Sequence, residues 1–127
     1  MSIFNAVHHI AIIGTDYNKS KFFYVTMLGF EVIRENYRKK TDDYKIDLKL
    51  GELEIELFIK KTSPARLSNP ESTGLRHIAF KVANISETIE KLNSLGIDTE
   101  PVRRDDYTGE RMTFFRDPDN MPIEIHE

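Results

Sequence analysis

The sequence predicts an α+β fold built from two copies of a βαβββ unit. The chain repeats itself at a shift of 68 residues, and each repeat opens with an apolar strand and a helix before three further strand-like runs. Self-similarity at a fixed shift indicates a duplicated structural unit. We therefore expect a single domain over residues 1–127, with units at about residues 5–60 and 75–127 and a linker at residues 61–74.

Two short motifs carry the repeat. The tripeptide His-Ile-Ala at residues 9–11 recurs at residues 77–79, and the dipeptide Ile-Glu at residues 55–56 recurs at residues 123–124. The same shift carries Asp16 onto Asn84. Both are good helix N-caps, because their side-chain oxygens accept a hydrogen bond from an amide of the first turn.

In the first unit, Val7–Ile13 is predicted to form the opening strand. Gly29 ends the following helix in a left-handed cap, and the apolar face of this helix comprises Phe23, Tyr24, Met27 and Leu28. Three strands should complete the unit, at Phe30–Tyr37, Tyr44–Leu50 and Leu53–Lys60.

The second unit repeats this order. Leu75–Val82 is its predicted opening strand, and Gly96 follows a helix whose apolar face comprises Ile85, Ile89, Leu92 and Leu95. The three remaining strands are predicted at Thr99–Arg103, Met112–Arg116 and Ile123–His126.

The composition excludes several classes of function. A formal charge of −3 argues against a nucleic-acid or anionic-membrane partner. No signal-type segment and no run of about 20 apolar residues is present, so we expect a cytoplasmic protein. The chain has no cysteine, so any metal must be held by nitrogen and oxygen ligands.

The repeated histidines and glutamates are the candidate ligands. Side chains alternate between the faces of a strand, so Ile55 and Leu57 should face the helix while Glu56 points the other way. His77 likewise points away from the face of Ile78. Approximate two-fold symmetry would bring His9, Glu56, His77 and Glu124 together around one ion.

This ligand set indicates the kind of metal. Two neutral imidazoles and two carboxylates balance a divalent cation and suit nickel, zinc, cobalt, iron(II) or manganese better than calcium or magnesium. A single histidine or glutamate on a strand is usually a structural residue. Packing alone, however, does not require a histidine and a glutamate at matched, inward-facing positions in both units.

Other polar residues are weaker candidates. We expect His8, on the helix side of its strand, and His126, near the chain end, to be bystanders. Glu54 and Lys60 are predicted on the same strand face as Glu56. They could support the metal ligands from outside the coordination sphere, or they could form an exposed ion pair. A basic hairpin could hold an anionic substrate or be a solvated loop; it contains Arg103, Arg104, Tyr107 and Arg111.

The ordered motifs resemble those of the vicinal oxygen chelate superfamily, and most closely those of small bacterial glyoxalase I-like proteins. They are His-Ile-Ala, Leu-Gly-Phe, Ile-Glu-Leu, Gly-Leu-Arg-His-Ile-Ala-Phe and Asp-Pro-Asp-Asn-Met-Pro-Ile-Glu-Ile, and they span nearly the whole chain. The resemblance implies an open, barrel-like mixed sheet around a metal cleft, with the helices outside. It also implies that His9, Glu56, His77 and Glu124 match the four glyoxalase I ligands.

The resemblance implies a metal-dependent lyase or isomerase that acts on a small carbonyl or hemithioacetal substrate through an enediolate, with Glu124 or Glu56 as the base. Methylmalonyl-CoA epimerases typically have glutamine where this chain has Glu56. Glutathione-using enzymes generally have arginine and asparagine at the places of Ile13 and Lys60, which makes glutathione a doubtful thiol here.

Two alternatives stay open. An extradiol-type dioxygenase would use a two-histidine, one-carboxylate iron site, although a fourth protein ligand leaves less room for dioxygen. A non-enzymatic drug-binding or resistance protein would need only a cleft. The metal site would form within one chain or across a symmetric homodimer.

Overall fold

The computed structural model describes all 127 residues and divides into two compact units, Met1–Pro64 and Ala65–Glu127. Each contains one four-stranded mixed sheet and one helical segment, which confirms the α+β class and the duplicated βαβββ order. The barrel-like sheet expected from the resemblance takes the form of two separate hydrogen-bonded sheets, one in each unit. None of the helices is long and apolar enough to cross a membrane.

The first unit begins with β1 (Ile10–Gly14) and α1 (Tyr17–Lys21), which continues as a π-helical segment over Phe22–Met27. The remaining strands are β2 (Glu31–Arg38), β3 (Asp43–Leu50) and β4 (Leu53–Ile59). The sheet order is β1-β4-β3-β2, with β1 parallel to β4 and the other pairs antiparallel.

Local chemistry sets the limits of the first helical segment. The side chain of Asp16 accepts a hydrogen bond from the Lys19 amide, as predicted for an N-cap. At the other end Gly29 has φ +82°, a left-handed conformation that costs glycine little, and the Phe30 amide donates to the Tyr24 carbonyl. The apolar face predicted from the sequence is buried most deeply at Phe23 and Tyr24.

The second unit repeats this topology. It contains β5 (Ile78–Lys81), α2 (Ile85–Ser94), β6 (Arg103–Arg104), β7 (Arg111–Arg116) and β8 (Pro122–His126), in the sheet order β5-β8-β7-β6. Asn84 caps α2 by accepting a hydrogen bond from the Glu87 amide. Leu95, placed on the apolar face by the sequence, is instead the C-cap residue and is exposed, because the helix ends before it.

Three predicted strands are shorter than expected. β1 begins at Ile10 rather than Val7, and β5 begins at Ile78 rather than Leu75. The carbonyls of Leu75 and Arg76 accept hydrogen bonds from the Arg66 side chain. The strand predicted at Thr99–Arg103 is reduced to Arg103–Arg104, because Pro101 has no amide hydrogen to donate to a ladder.

Each unit is held together by alternating apolar side chains. In β4 the residues Ile55, Leu57 and Ile59 are buried, while Glu56 and Phe58 between them are only half-buried. Ile123 and Ile125 of β8 are buried as well, but there Glu124 between them is also buried. The alternation in β4 confirms the predicted faces and turns Glu56 away from the apolar core.

Candidate functional site

The first unit brings His9 and Glu56 together. Their side chains are joined by a contact of 3.2 Å between His9 Nε2 and Glu56 Oε2. Because β1 runs parallel to β4, Ala11 lies opposite Glu56, and His9 lies two residues before Ala11 on the approach to the strand. Ala11 is exposed, so the surface beside this pair is open.

The second unit reproduces the arrangement. His77 Nε2 lies 3.3 Å from Glu124 Oε2, and Ala79 lies opposite Glu124 in the parallel pairing of β5 with β8. Ala79 is exposed, as Ala11 is. Sequence positions 68 residues apart thus have the same register and the same side-chain contact in both units.

Each pair suits two adjacent ligands of one metal ion. Metal–nitrogen and metal–oxygen bonds of about 2.1 Å separate neighbouring ligand atoms by about 3.0 Å at a right angle and about 3.4 Å at a tetrahedral angle. The contacts of 3.2 and 3.3 Å fall between these values. The structure assembles no group of three or more histidine, aspartate or glutamate side chains that could hold a metal ion.

A buried carboxylate lies next to Glu56. Asp47 faces Glu56 across β3 and β4, and its side chain is only 4% exposed. Arg34 Nε donates to Asp47 Oδ2 at 2.8 Å, and Lys45 Nζ lies 3.2 Å from Asp47 Oδ1 and 3.4 Å from Glu56 Oε1. Asp47 Oδ1 accepts no hydrogen bond of good geometry.

A β-bulge explains the position of Arg34. The register of β2 against β3 shifts between Val32 and Arg34, so that Arg34, and not Ile33, lies opposite Asp47. An extra residue in one strand re-aims the side chains that follow it. In the sequence Asp47 stands between Ile46 and Leu48, but nothing there indicates the bulge that pairs it with Arg34.

The pair in the second unit has a different neighbour. Phe114 lies opposite Glu124, at the place that Asp47 takes opposite Glu56. The rings of His77 and Phe114 meet edge to face with their centroids 5.1 Å apart. The Arg103 guanidinium lies over the Phe114 ring at 5.4 Å. The His9–Glu56 pair therefore lies beside a carboxylate and a lysine, whereas the His77–Glu124 pair lies beside the aromatic ring of Phe114.

A cleft of about 170 Å³ opens beside His77 and Phe114. Its charged lining consists of four arginines and two glutamates: Arg66, Arg76, Arg103, Arg116, Glu71 and Glu100. Arg66 and Glu71 come from the stretch that the sequence predicts as a linker. We name this feature the arginine cleft.

Other residues singled out from the sequence lie elsewhere. His8 is exposed outside β1, not on its helix side, and its ring meets that of His9 edge to face. Glu54 lies opposite Lys49, and Lys60 Nζ contacts Asp43 Oδ2 at 2.6 Å. Lys60, directly after β4, therefore forms an ion pair with the first residue of β3.

The predicted basic hairpin does not act as one group. Arg111 is held by Glu127, and Arg104 donates to the Gly109 carbonyl. Tyr107 is fully exposed, and only Arg103 reaches the arginine cleft. The sequence missed this division because it depends on which acceptor each guanidinium meets.

Two carboxylates have strongly perturbed acidity. Arg38 and Lys60 hold the pKa of Asp43 well below its usual range. Arg111, helped by the Ile85 amide, lowers the pKa of Glu127 to about 2. His126 Nδ1 donates to the Glu127 carbonyl at 2.7 Å, and this hydrogen bond is the main cause of the raised pKa of His126. Both ion pairs tie neighbouring elements together, a structural role.

The similarity to known proteins extends over nearly the whole chain. The family model of the Glyoxalase/Bleomycin resistance protein/Dioxygenase superfamily matches residues 6–125. The uncharacterised protein YwkD of Bacillus subtilis strain 168 is 50% identical over 126 residues, which are 98% of each chain.

Solved structures show the same fold. A glyoxalase family protein from Enterococcus faecalis is 56% identical, with a TM-score of 0.96 over 99% of this chain and 100% of that one. A mutant of the fosfomycin resistance protein FosX from Listeria monocytogenes, complexed with Mn(II) and a dihydroxypropylphosphonic acid, is 24% identical. Its TM-score is 0.75, over 98% of this chain and 93% of that one.

Proposed function

Because the chain belongs to the glyoxalase/bleomycin resistance protein/dioxygenase superfamily, we propose that it is a metal-dependent lyase or isomerase acting on a small carbonyl or hemithioacetal substrate. The superfamily includes enzymes and resistance proteins, and membership confirms the resemblance drawn from the motifs. The observation that carries the proposal is the equivalence of the two histidine–glutamate pairs, at 3.2 and 3.3 Å in matching registers.

The proposed ligands are His9, Glu56, His77 and Glu124, and the proposed cofactor is one divalent ion: nickel, zinc, cobalt, iron or manganese. A mixed nitrogen and oxygen donor set suits these metals. The Mn(II) bound to FosX supports a divalent ion in this superfamily. When bound, the ion would supply Lewis-acid stabilisation of negative charge on two neighbouring substrate oxygens.

We assign the role of general base to Glu124. Glu56 would instead remain bound to the metal as a ligand, which we call its holding role. Glu56 Oε1 lies 3.4 Å from Lys45 Nζ, a contact that retains its carboxylate in place. In the second unit, Glu124 Oε2 contacts His77 Nε2 at 3.3 Å and the residue opposite Glu124 is Phe114, so no lysine holds this carboxylate as Lys45 holds Glu56. Glu124 can therefore take a proton from a substrate carbon and return it to the neighbouring atom.

Metal analysis of protein purified without a histidine tag is the first test. We expect the analysis to find about one bound divalent ion for each set of four ligands. This ion should be lost when His9 or His77 is replaced by alanine. Turnover of methylglyoxal with several thiols, followed by the appearance of thioester, then tests the reaction. Oxygen uptake with catechols would instead identify a dioxygenase. Metal-free protein that binds small molecules without turnover would identify a binding protein.

A mixing experiment determines whether one chain or two supply the ligands. If sites form across a homodimer, mixing His9→Ala with His77→Ala gives mixed dimers with one intact site, and metal binding partly returns. If each chain supplies its own four ligands, every site in the mixture lacks a histidine and binding stays lost. Each variant alone is the control.

A further inference from the structure

We propose that the arginine cleft binds an anionic group of the substrate, a carboxylate, phosphate or phosphonate, through Arg103 and Arg116. The inference rests on the proposed function, because it places this group beside His77. It adds a chemical class to the substrate: a small molecule that carries an oxyanion close to its reacting oxygens.

The charges of the cleft are unbalanced. Four guanidinium groups face two carboxylates along its lining. Arg76 is fully engaged by Glu71, with Nε–Oε2 at 2.6 Å and Nη2–Oε1 at 3.1 Å. This pairing also lowers the pKa of Glu71. Glu71 also attracts Arg66, and Glu100 is the carboxylate left for Arg103 and Arg116.

Glu100 does not neutralise its neighbours closely. Its carboxylate oxygens lie 3.7 Å from Arg103 and 3.9 Å from Arg116, which is beyond hydrogen-bond distance. The Glu100 side chain is also 44% exposed. A ligand oxyanion can therefore accept hydrogen bonds from Arg103 and Arg116 without first breaking a short ion pair.

Arg66 forms a fixed wall of the cleft. Its Nη2 atom donates to the carbonyls of Leu75 and Arg76 at 2.9 and 3.0 Å, and its Nη1 atom lies 3.6 Å from the Met121 sulfur. The positive charge of Arg66 remains in the cleft, although most of its N–H donors already bond to protein acceptors. Arg66 thus contributes to the potential, whereas Arg103 and Arg116 have donors to offer.

Phe114 orients Arg103 toward the cleft. The guanidinium lies over its ring at 5.4 Å, and a stacked guanidinium keeps its edge donors free for a bidentate acceptor. The same ring contacts His77. An oxyanion held by Arg103 would therefore place its neighbouring carbon atoms beside the proposed metal ligand.

The size of the cleft limits the ligand. A volume of about 170 Å³ corresponds to about six water molecules at their liquid volume. This space fits one oxyanion with a few attached atoms. The two residues that line it and donate are exposed by 56% and 42%, so we expect modest affinity that falls with added salt.

Titration followed by nuclear magnetic resonance tests the proposal. Inorganic phosphate, methylphosphonate and pyruvate are added separately to the protein as purified, and the amide and arginine Nε signals are recorded. We expect saturable shifts at Arg103, Arg116 and Phe114. Arg103→Gln and Arg116→Gln should each weaken binding about three- to tenfold, and Arg103→Lys should recover only part of this loss.

Arg104→Gln is the matched control, because Arg104 is adjacent in sequence, carries the same charge and donates to the Gly109 carbonyl instead. If this variant weakens binding as much as Arg103→Gln, the effect is one of general surface charge and the proposal is wrong. Absence of saturable shifts with all three probes also overturns it. The probe that binds most tightly identifies the oxyanion.

Repeating the titration after removal of metal by a chelator separates this inference from the proposed function. Binding that survives chelation and depends on Arg103 supports the cleft, whatever the metal analysis shows. Binding that disappears with the metal and ignores Arg103→Gln would place the anion on the ion, and the cleft would have no role. Failure of the metal analysis alone would overturn the proposed function and leave anion binding intact.

Discussion

Glu56 and Asp47 lie directly opposite each other on β4 and β3, and the ammonium group of Lys45 lies 3.4 Å from the first carboxylate and 3.2 Å from the second. Two adjacent carboxylates repel each other, and the repulsion grows where water is partly excluded. Lys45 and Arg34 offset that repulsion in the folded protein. The cation that stabilises this part of the sheet also competes with a metal for Glu56.

Replacing Lys45 with methionine should strengthen metal binding and weaken the metal-free fold. The substitution removes the competing cation from Glu56 but keeps the aliphatic stem. We expect divalent-ion affinity to rise about three- to tenfold, a discounted effect because Lys45 is partly exposed. Competition titration with a chromophoric chelator measures the affinity, and thermal unfolding with chelator measures the fold.

Lys49→Met provides the matched control, since Lys49 lies on the same strand opposite Glu54. It should leave metal affinity within a factor of two. An unchanged or lower affinity for Lys45→Met would show that Lys45 does not compete for the Glu56 carboxylate.

Replacing Glu124 with glutamine should abolish proton transfer while its amide oxygen remains a weaker ligand. At metal concentrations that restore full occupancy, we expect turnover to fall by at least about 10²-fold, the usual contribution of a general base. Glu56→Gln should mainly lower metal affinity, because Glu56 has the holding role. Isomerase assays with parallel metal analysis separate the two effects.

Glu54→Gln makes the same change of charge two residues from Glu56 and should retain both activity and metal. Full turnover by metal-loaded Glu124→Gln would exclude Glu124 as the base. Loss of turnover in Glu56→Gln at full occupancy would transfer that role to Glu56.

Asp43 should make stability depend on acid pH. Arg38 and Lys60 hold its folded-state pKa below the value of an unfolded aspartate, about 3.9. The ionised carboxylate therefore stabilises the fold at pH values above the pKa of an unfolded aspartate. This stabilisation is lost as the pH falls through the folded-state pKa. Asp43→Asn should be less stable than the parent protein at pH 7, and the difference should shrink between pH 4 and pH 2.

Urea unfolding at several pH values measures this difference. Glu52→Gln is the control, since Glu52 is exposed in the turn between β3 and β4; the same pH dependence in this variant would show that the effect is not specific to Asp43. A difference for Asp43→Asn that does not change with pH would mean that the ion pairs with Arg38 and Lys60 add no stability.

Replacing Phe114 with leucine should weaken anion binding without changing the charge of the arginine cleft. The substitution removes the ring that orients Arg103, and a partly exposed cation–π contact contributes about 0.5–1 kcal/mol. We therefore expect phosphate or methylphosphonate affinity to fall about two- to fivefold in the same titration. Leucine is apolar and fills most of the space of the ring, so the fold should be retained with a modest loss of stability.

Phe58→Leu is the matched control, because the Phe58 ring lies under Arg38 at 4.8 Å in the first unit. It removes the same kind of contact outside the cleft and should not alter anion binding. Equal losses in the two variants would show that Phe114 does not orient Arg103 for binding.

Much of the fold could be predicted because it depends on local patterns. The helix caps at Asp16 and Asn84 were correctly placed, since capping uses side chains a few residues from the amides they satisfy. The alternation in β4 correctly turned Glu56 away from the core. The early start predicted for β1 was wrong, because apolar residues such as Val7, which is exposed here, also occur outside strands.

The surroundings of the site were harder to predict. Lys60 shares a strand face with Glu56, yet its ammonium group contacts Asp43 seventeen residues away. The stretch predicted as a linker supplies Arg66 and Glu71 to the arginine cleft. Such contacts join residues that are distant in sequence, and no periodicity indicates which acceptor a flexible cationic side chain meets.

The duplicated architecture and the matched positions of the two histidines and two glutamates follow from the amino-acid sequence, because a repeat at constant shift preserves strand order and the face of each side chain. The pairing of Asp47 with Glu56 and of Phe114 with Glu124 is seen only once the strands are assembled into sheets. Cross-strand register accounts for this difference, because it depends on the lengths of the turns between strands, and a one-residue change exchanges every neighbour along a strand.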